Sequence, residues 1–412
     1  MTRPAHSGVR RAAARVVARG VRPRMAFALP AIAMAALALS GCATIKEWMP
    51  TIPAPSLSWL YDSKKPGPLP ELKASATAVT SWQAQVGAAG PGFSPTVLSD
   101  AIYAAGKDGT VMRLDPANGR SVWRIDAGQK LSAGAGADAT LVVVGTEKGE
   151  VLAFSPDGKP AWQARVSTEV VAPPRVSEGV VIVLTGDGSL HALNAADGAR
   201  KWVNQRAAPA LIVRNYAGAI IRRGGVFVGT AGGHLLALDL KTGIVGWDAT
   251  VASPKGSTEL ERIADVTSLP LVLEKDACAV AYQGRVACFE LTRGTLQWSR
   301  DISSLNGLAS DSRNIYVTDD KGAVHALDRS TGASVWKQEL LNKRRIGGPQ
   351  IVGDFVGIVD AEGYLHLLSA TNGAYVGRLG TDGSAATAQP ELLLTGALWQ
   401  STGGTLFAVS AK

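Results

Sequence analysis

The chain has 412 residues, 46% hydrophobic and 18% charged, with 46 glycines. That is enough for two average domains or one large repeat array, and it excludes a disordered polypeptide. The formal charge is +8, but seven arginines and no Lys, Asp or Glu precede Cys42; the near-neutral remainder lacks the basic face that a nucleic-acid binder needs, so no nucleic-acid partner is expected.

Residues 1–41 read as a secretory signal. Arginines come first, then the apolar run Met25–Leu39, then small residues. The run of 15 residues is short for a membrane span. The stretch Leu39-Ser40-Gly41-Cys42 resembles the bacterial lipobox. The resemblance implies that Cys42 is diacylated, becomes the first residue of the mature chain, and is acylated on its amine; two or more chains give stable anchoring. Ala43 follows, not Asp, which under enteric-type sorting implies the outer membrane, with the body facing the periplasm. Residues 42–79 are studded with proline and keep no sustained period, so they predict a flexible lipidated tether.

From there a repeat governs the chain. Taking a turn glycine as its start, copies run Gly109–Trp123, Gly149–Trp162, Gly188–Trp202, Gly233–Trp247, Gly284–Trp298 and Gly322–Trp336. A seventh copy starts at Gly363 and has Gly377 where the others have Trp. An eighth starts at Gly404 and stops before any Trp, while Trp82 near the start has no hairpin before it. One strand from each terminus completes the last unit and accounts for both loose ends.

Each unit, about 40 residues long, reads as four short strands. The turn before Gly322 needs positive φ, and Asp328, with Asp115, Asn194 and Asp239 elsewhere, caps the next turn through Asx hydrogen bonds. Apolar alternation has period two, which excludes helical solenoids. The predicted fold is all-β: an eight-bladed β-propeller of four-stranded antiparallel blades over residues 80–412, its ring closed by the N- and C-terminal strands. A mostly small position, four after each turn glycine (Ala153, Ala192, Ala237, Cys288, Ala326), lets neighbouring strands approach closely. The outline resembles the Trp-docking motif of quinoprotein alcohol dehydrogenases and their non-enzymatic relatives, which bears on fold and not on activity.

Enzymatic readings fare poorly. A quinone-dependent dehydrogenase is the alternative this fold suggests, but there is no adjacent Cys-Cys pair. The repeated acids sit at turn caps spread around the ring, where they cannot share one metal. His191, His325 and His366 share one slot that is apolar in other units, so they read as core histidines with local partners, not as metal ligands. No catalytic residue, metal site or cofactor is expected. Cys278 and Cys288 flank a turn near Gln283; a hairpin centred there sets them opposite one another, and both a disulfide and two buried thiols fit.

Two connections break the regular spacing: Pro209 to Ile221, with an apolar-Arg pair, and Ser253 to Leu271, with Glu259, Glu261, Arg262 and Asp265. Functional loops concentrate where a rigid scaffold is interrupted. The lipobox, the PLPEL segment (68–72), SWQAQVG around Trp82, the small blades and GSTELERIADV together resemble the BamB family of outer-membrane assembly lipoproteins. That resemblance implies a non-enzymatic scaffold of the β-barrel assembly complex. It would bind the POTRA region of BamA through Leu211, Val213, Arg214 and Asp265, with Glu259 and Arg262 holding the second loop. The family's second acidic residue is Thr267 here. Unfolded β-barrel clients pairing with a propeller edge are a further implied partner. Peptidoglycan or a protease is the alternative partner of a periplasmic lipoprotein scaffold.

Overall fold

The middle strands of each unit are apolar on both sides, so each must be covered by a neighbour on both faces. A computed structural model describing residues 66–412, apart from 207, 208, 215 and 217, meets that demand with eight four-stranded antiparallel sheets in a ring, an eight-bladed β-propeller. The predicted signal segment 1–41, Cys42 and the first part of the tether lie outside the described residues. Blades one to seven span residues 96–126, 136–165, 175–204, 219–250, 271–300, 308–338 and 350–380. In blade three the strands Arg175–Ser177, Val180–Leu184, Leu190–Asn194 and Arg200–Asn204 follow one another outward. Val180–Leu184 is buried at every position, whereas Arg200–Asn204 alternates between exposed and half-buried. The hydrophobic clusters lie between blades: one joins Ile182, Leu184 and Leu190 of blade three to Val226, Val228 and Leu236 of blade four.

Blade eight combines both termini. Glu391–Leu393, Gly396–Gln400 and Thr405–Ala411 are completed by Ala78–Gln85, which pairs antiparallel with Thr405–Ala411. Closure by a strand from each end completes the last blade, so the ring leaves only the short outer and inner edges of its blades unpaired.

The repeated Trp is the rivet between blades. In each case the indole Nε1–H donates to a backbone carbonyl of the next blade, as from Trp202 to Leu240 (3.0 Å), Trp247 to Leu291 (3.0 Å) and Trp298 to Arg329 (2.9 Å). The ring then lies on the next blade's second turn glycine. A Cβ on Gly243 would meet the Trp202 ring at 2.5 Å, and one on Gly332 the Trp298 ring at 2.3 Å. The glycine also holds positive φ (72° at Gly243, 68° at Gly332), so two requirements select it at one position. The small position four after the turn glycine is the cross-strand partner of the same blade's Trp: Ala192 faces Trp202, and Ala326 faces Trp336. The closeness it provides is therefore within a blade.

Blade seven shows why its Trp is missing. Leu367 faces Gly377, the reverse of blades two to six, where a small residue faces the Trp. A chain segment crosses there: Ser75 N–H and Ala76 N–H both donate to the Val376 carbonyl, and a Cβ on Gly377 would lie 3.0 Å from the Ala76 carbonyl oxygen. The C-terminal part of the predicted flexible tether is thus a strap on blade seven. Gly67 N–H donates to the Lys343 carbonyl, Arg344 donates to the Gly67 carbonyl, and Arg378 donates to that of Pro70 (3.4 Å). Arg344 is 2% exposed and its charge is matched by Asp360 (2.5 Å) and Glu362 (2.7 Å). The strap corrects the boundary: a tether lacking internal periodicity still orders where carbonyls and N–H groups are offered to it.

Candidate functional site

The two connections that break the repeat emerge on one face. Each runs from an outermost strand to the next blade's innermost strand, and so returns to the end of the ring that carries the turn glycines Gly188 and Gly233. Asp265 ties them together. Its Oδ2 accepts the Val213 N–H (2.6 Å), its Oδ1 accepts the Gly232 N–H (2.8 Å), and its carbonyl accepts the Tyr282 N–H (2.8 Å). Asp265 is 1% exposed. This corrects the expectation that it stands on the partner-facing surface: a buried carboxylate saturated by backbone donors is a brace that sets the position of the Val213-Arg214 segment. Short charge-assisted bonds of this kind are the strong ones. Thr267, two residues on, is also buried and donates its hydroxyl to the Leu305 carbonyl (3.3 Å), so an acid there would face a structural position.

Leu211 is 39% exposed and Val213 half-buried. The Arg214 side chain is 55% exposed; it bonds Glu169, in the connection between blades two and three, at 2.5 Å and stacks over Tyr216 at 5.4 Å. An exposed pair like this adds little stability but orients the guanidinium. Behind the segment is a cleft of about 460 Å³ between blades three and four, with Leu184, Leu190, Val228 and Leu236 among its apolar walls. On its rim, Arg206 forms an ion pair with Asp248 (2.9 Å), whose other oxygen is hydrogen-bonded to His234 (2.7 Å). The arrangement can receive an apolar side chain beside a guanidinium.

The second loop is held by a residue that the repeat analysis passed over. Glu261 Oε2 accepts from the N–H groups of Ser257 (2.8 Å) and Thr258 (3.1 Å), and Thr258 Oγ1 accepts from the Glu261 N–H (3.2 Å). The reciprocal pair closes a single turn, completed by Arg262 N–H to the Thr258 carbonyl. The signal was in the sequence: Thr258-Glu259-Leu260-Glu261 is a Thr-x-x-Glu capping box. These donors, those of Ser257 first, hold the Glu261 carboxyl below the usual range. Glu259 and Arg262, expected to hold the loop, are instead exposed and form no ion pair among the described residues. Leu260, 67% exposed between them, adds an apolar residue to the surface.

The other candidates lie elsewhere. Cys278 and Cys288 face one another on adjacent strands of blade five, both buried, and are joined as a disulfide. The histidines each have a private partner in separate blades: His191 with Ser167 (3.0 Å), His325 with Asp319 (2.9 Å), His366 with Asp360 (2.8 Å) and Tyr375 (3.0 Å). Burial lowers the His191 and His366 pKa values. Among the described residues no cluster of three His, Cys, Asp or Glu could hold a metal.

Comparison with known proteins gives one direction. A family model described as outer membrane protein assembly factor BamB matches residues 107–338. An outer membrane protein assembly factor BamB from Bordetella pertussis (strain Tohama I) is 40% identical over 396 residues, covering 96% of this chain and all of that one. One from Burkholderia pseudomallei (strain K96243) is 41% identical over 329 residues, covering 79% and 86%. The crystal structure of BamB from Moraxella catarrhalis superposes with a TM-score of 0.74 at 25% identity, over 81% of this chain and 99% of that one. A quinohemoprotein alcohol dehydrogenase from Pseudomonas putida superposes with a TM-score of 0.63 at 12% identity, over 81% and 76%, a likeness of fold alone.

Proposed function

Since the chain belongs to the BamB family, whose members are assembly factors and not enzymes, we propose that it is a scaffold lipoprotein of outer-membrane β-barrel assembly. It is anchored in the outer membrane through Cys42 after removal of residues 1–41, faces the periplasm, and binds the POTRA region of BamA. The surface is the pair of loops between blades three and five. Leu211, Arg214 and Leu260 supply apolar and guanidinium contacts, and Glu259 and Arg262 a charged rim. Arginine with apolar anchors is the composition of interface hot spots, and a polar rim excludes water around them.

One observation carries this reading. The two insertions in an otherwise regular ring are bound to each other by a single buried carboxylate, Asp265, and leave their polar and apolar tips in solvent. A ring that merely tolerated longer loops would have no need to fix one against the other.

Detergent pulldown of the lipidated protein, comparing wild type with Arg214→Glu, tests it. BamA is expected in the wild-type eluate and strongly depleted with the variant. Its absence from the wild-type eluate refutes the function. Equal recovery with both proteins refutes the site and spares the function.

A further inference from the structure

The mouth of the central channel, on the face that carries the interblade loops, is a cavity of about 320 Å³. Its wall draws on blade three (Arg175), the connections after it (Arg214, Tyr216), after blade four (Ser268, Leu269), after blade five (Leu305) and after blade six (Arg345, Ile346). Three guanidiniums therefore converge on one space, against one carboxylate on its wall, Asp360. That carboxylate is already engaged by Arg344, His366 and the N–H groups of Glu362 and Tyr364.

The arginines are not spent on the fold. Arg175 donates its Nε–H to the Ala219 carbonyl (3.1 Å), which fixes the side chain and leaves both Nη groups without a partner among the described residues. Arg345 is exposed, forms no ion pair or hydrogen bond among the described residues, and sits at φ 55°. A non-glycine residue held in the left-handed region is strained and persists where the surroundings demand it. Ser268 stands on the cavity wall, 7% exposed, with its hydroxyl enclosed and without a hydrogen-bond partner. A buried hydroxyl left unpaired is expensive and calls for an explanation. Arg214 has a free face beside its bond to Glu169. The Arg175 charge acts on Glu391, on the innermost strand of blade eight. Enclosure pushes its carboxyl up to about 7 against the pull of Arg175, so near neutrality it does not hold that guanidinium as a full charge.

The remaining wall is apolar: Tyr216, Leu269, Leu305 and Ile346. We propose that the channel mouth binds a carboxylate joined to an apolar body, the C-terminal residue of an extended polypeptide, with Arg175 and Arg345 pairing the carboxylate, Ser268 donating to it, and the apolar wall receiving the side chain. A bare inorganic anion would leave that wall unfilled. The backbone of an internal segment would bring no charge to the arginines, and an internal Asp or Glu would bring its carboxylate without an apolar side chain on the same residue. The site shares Arg214 with the surface assigned to BamA, but the groups assigned to the carboxylate, Arg175, Ser268 and Arg345, lie outside that surface, and the test does not depend on that assignment.

The full-length protein in detergent is titrated with N-acetyl-phenylalanine and with N-acetyl-phenylalaninamide, read by calorimetry. The acid is expected to bind at least about tenfold more tightly than the amide, because only it offers a bidentate acceptor to guanidinium, and to weaken as salt rises. Arg345→Gln and Arg175→Gln are each expected to lose about tenfold in affinity with melting unchanged for the exposed Arg345. Ser268→Ala is expected to weaken binding without lowering the melting temperature, since it deletes a hydroxyl that the free protein leaves unpaired. Equal affinity for acid and amide, or full affinity in both arginine variants, overturns the proposal. N-acetyl-Ala-Ala-Ala-Phe tests the polypeptide source: tighter binding than the single residue supports a chain terminus, and equal binding overturns it in favour of a free small carboxylate.

Discussion

Asp265→Ala removes the brace between the two loops without touching an exposed residue. The carboxylate accepts two backbone N–H groups at 2.6 and 2.8 Å in a setting 1% exposed. Hydrogen bonds to a charged group contribute about 1.5–3 kcal/mol each, so the single bond to Val213 holds that segment by about 1.5–3 kcal/mol, while the bond to Gly232 anchors the carboxylate to blade four. The loop can detach while the blades stay folded, because local opening is cheaper than global unfolding. The loss is therefore expected to appear in the loop and only weakly in the melting temperature. At about 1.4 kcal/mol per decade, the Val213 amide should exchange with solvent about 10- to 100-fold faster. The partner's apparent affinity should fall in proportion to the docked fraction of the loop. Asp265→Asn keeps one acceptor but turns an NH2 toward the other N–H, and should lie between alanine and wild type. Hydrogen exchange at Val213, with pulldown of BamA alongside, measures both effects. If the Val213 amide exchanges no faster in Asp265→Ala, the brace reasoning is wrong, and any lost binding then belongs to direct contact by Asp265.

Three further outcomes follow from the rivets, the channel and the disulfide. Trp298→Ala empties the space on Gly332 and breaks the bond to Arg329; thermal and urea unfolding should show a loss of about 3–5 kcal/mol, and a loss under 1 kcal/mol would contradict the rivet. Glu391 has its carboxyl pushed from an ordinary 4.5 to about 7 by burial, so it destabilises the fold progressively as pH rises from about 4.5 through 7. Glu391→Gln should leave stability unchanged at pH 4 and raise it by about 1–3 kcal/mol at pH 8, and equal curves for the two proteins across that range would show the carboxyl to be solvated. Replacing Cys278 and Cys288 by alanine opens a crosslink with a sequence separation of 10; chain entropy predicts a loss of about 2–3 kcal/mol in unfolding free energy, while binding at the distant loops should be retained.

Much of this protein is readable before any coordinates, because a propeller writes its packing into a local repeat. The turn glycines, the Asx caps and the docking Trp each answer a requirement within about 40 residues, and their recurrence gave the blade count and the closure by both termini. The repeat also marked its own exceptions, the two long connections and Gly377 in place of Trp. What those exceptions do depended on contacts between residues far apart in sequence. Gly377 is small because Ala76 crosses it, some 300 residues earlier in the chain. Asp265 looked like a surface acid because its neighbours are charged, and only the approach of Val213, 52 residues away, shows it to be a buried acceptor. The capping box at Thr258 was legible and local, yet hidden inside an irregular loop. Arg175 begins the innermost strand of blade three, Ser268 and Arg345 come from two different interblade connections, and no periodicity links them. The ring brings them to one mouth because curvature accumulated over eight blades is a global property. Composition and spacing determined the ring, while its closure decided which side chains meet.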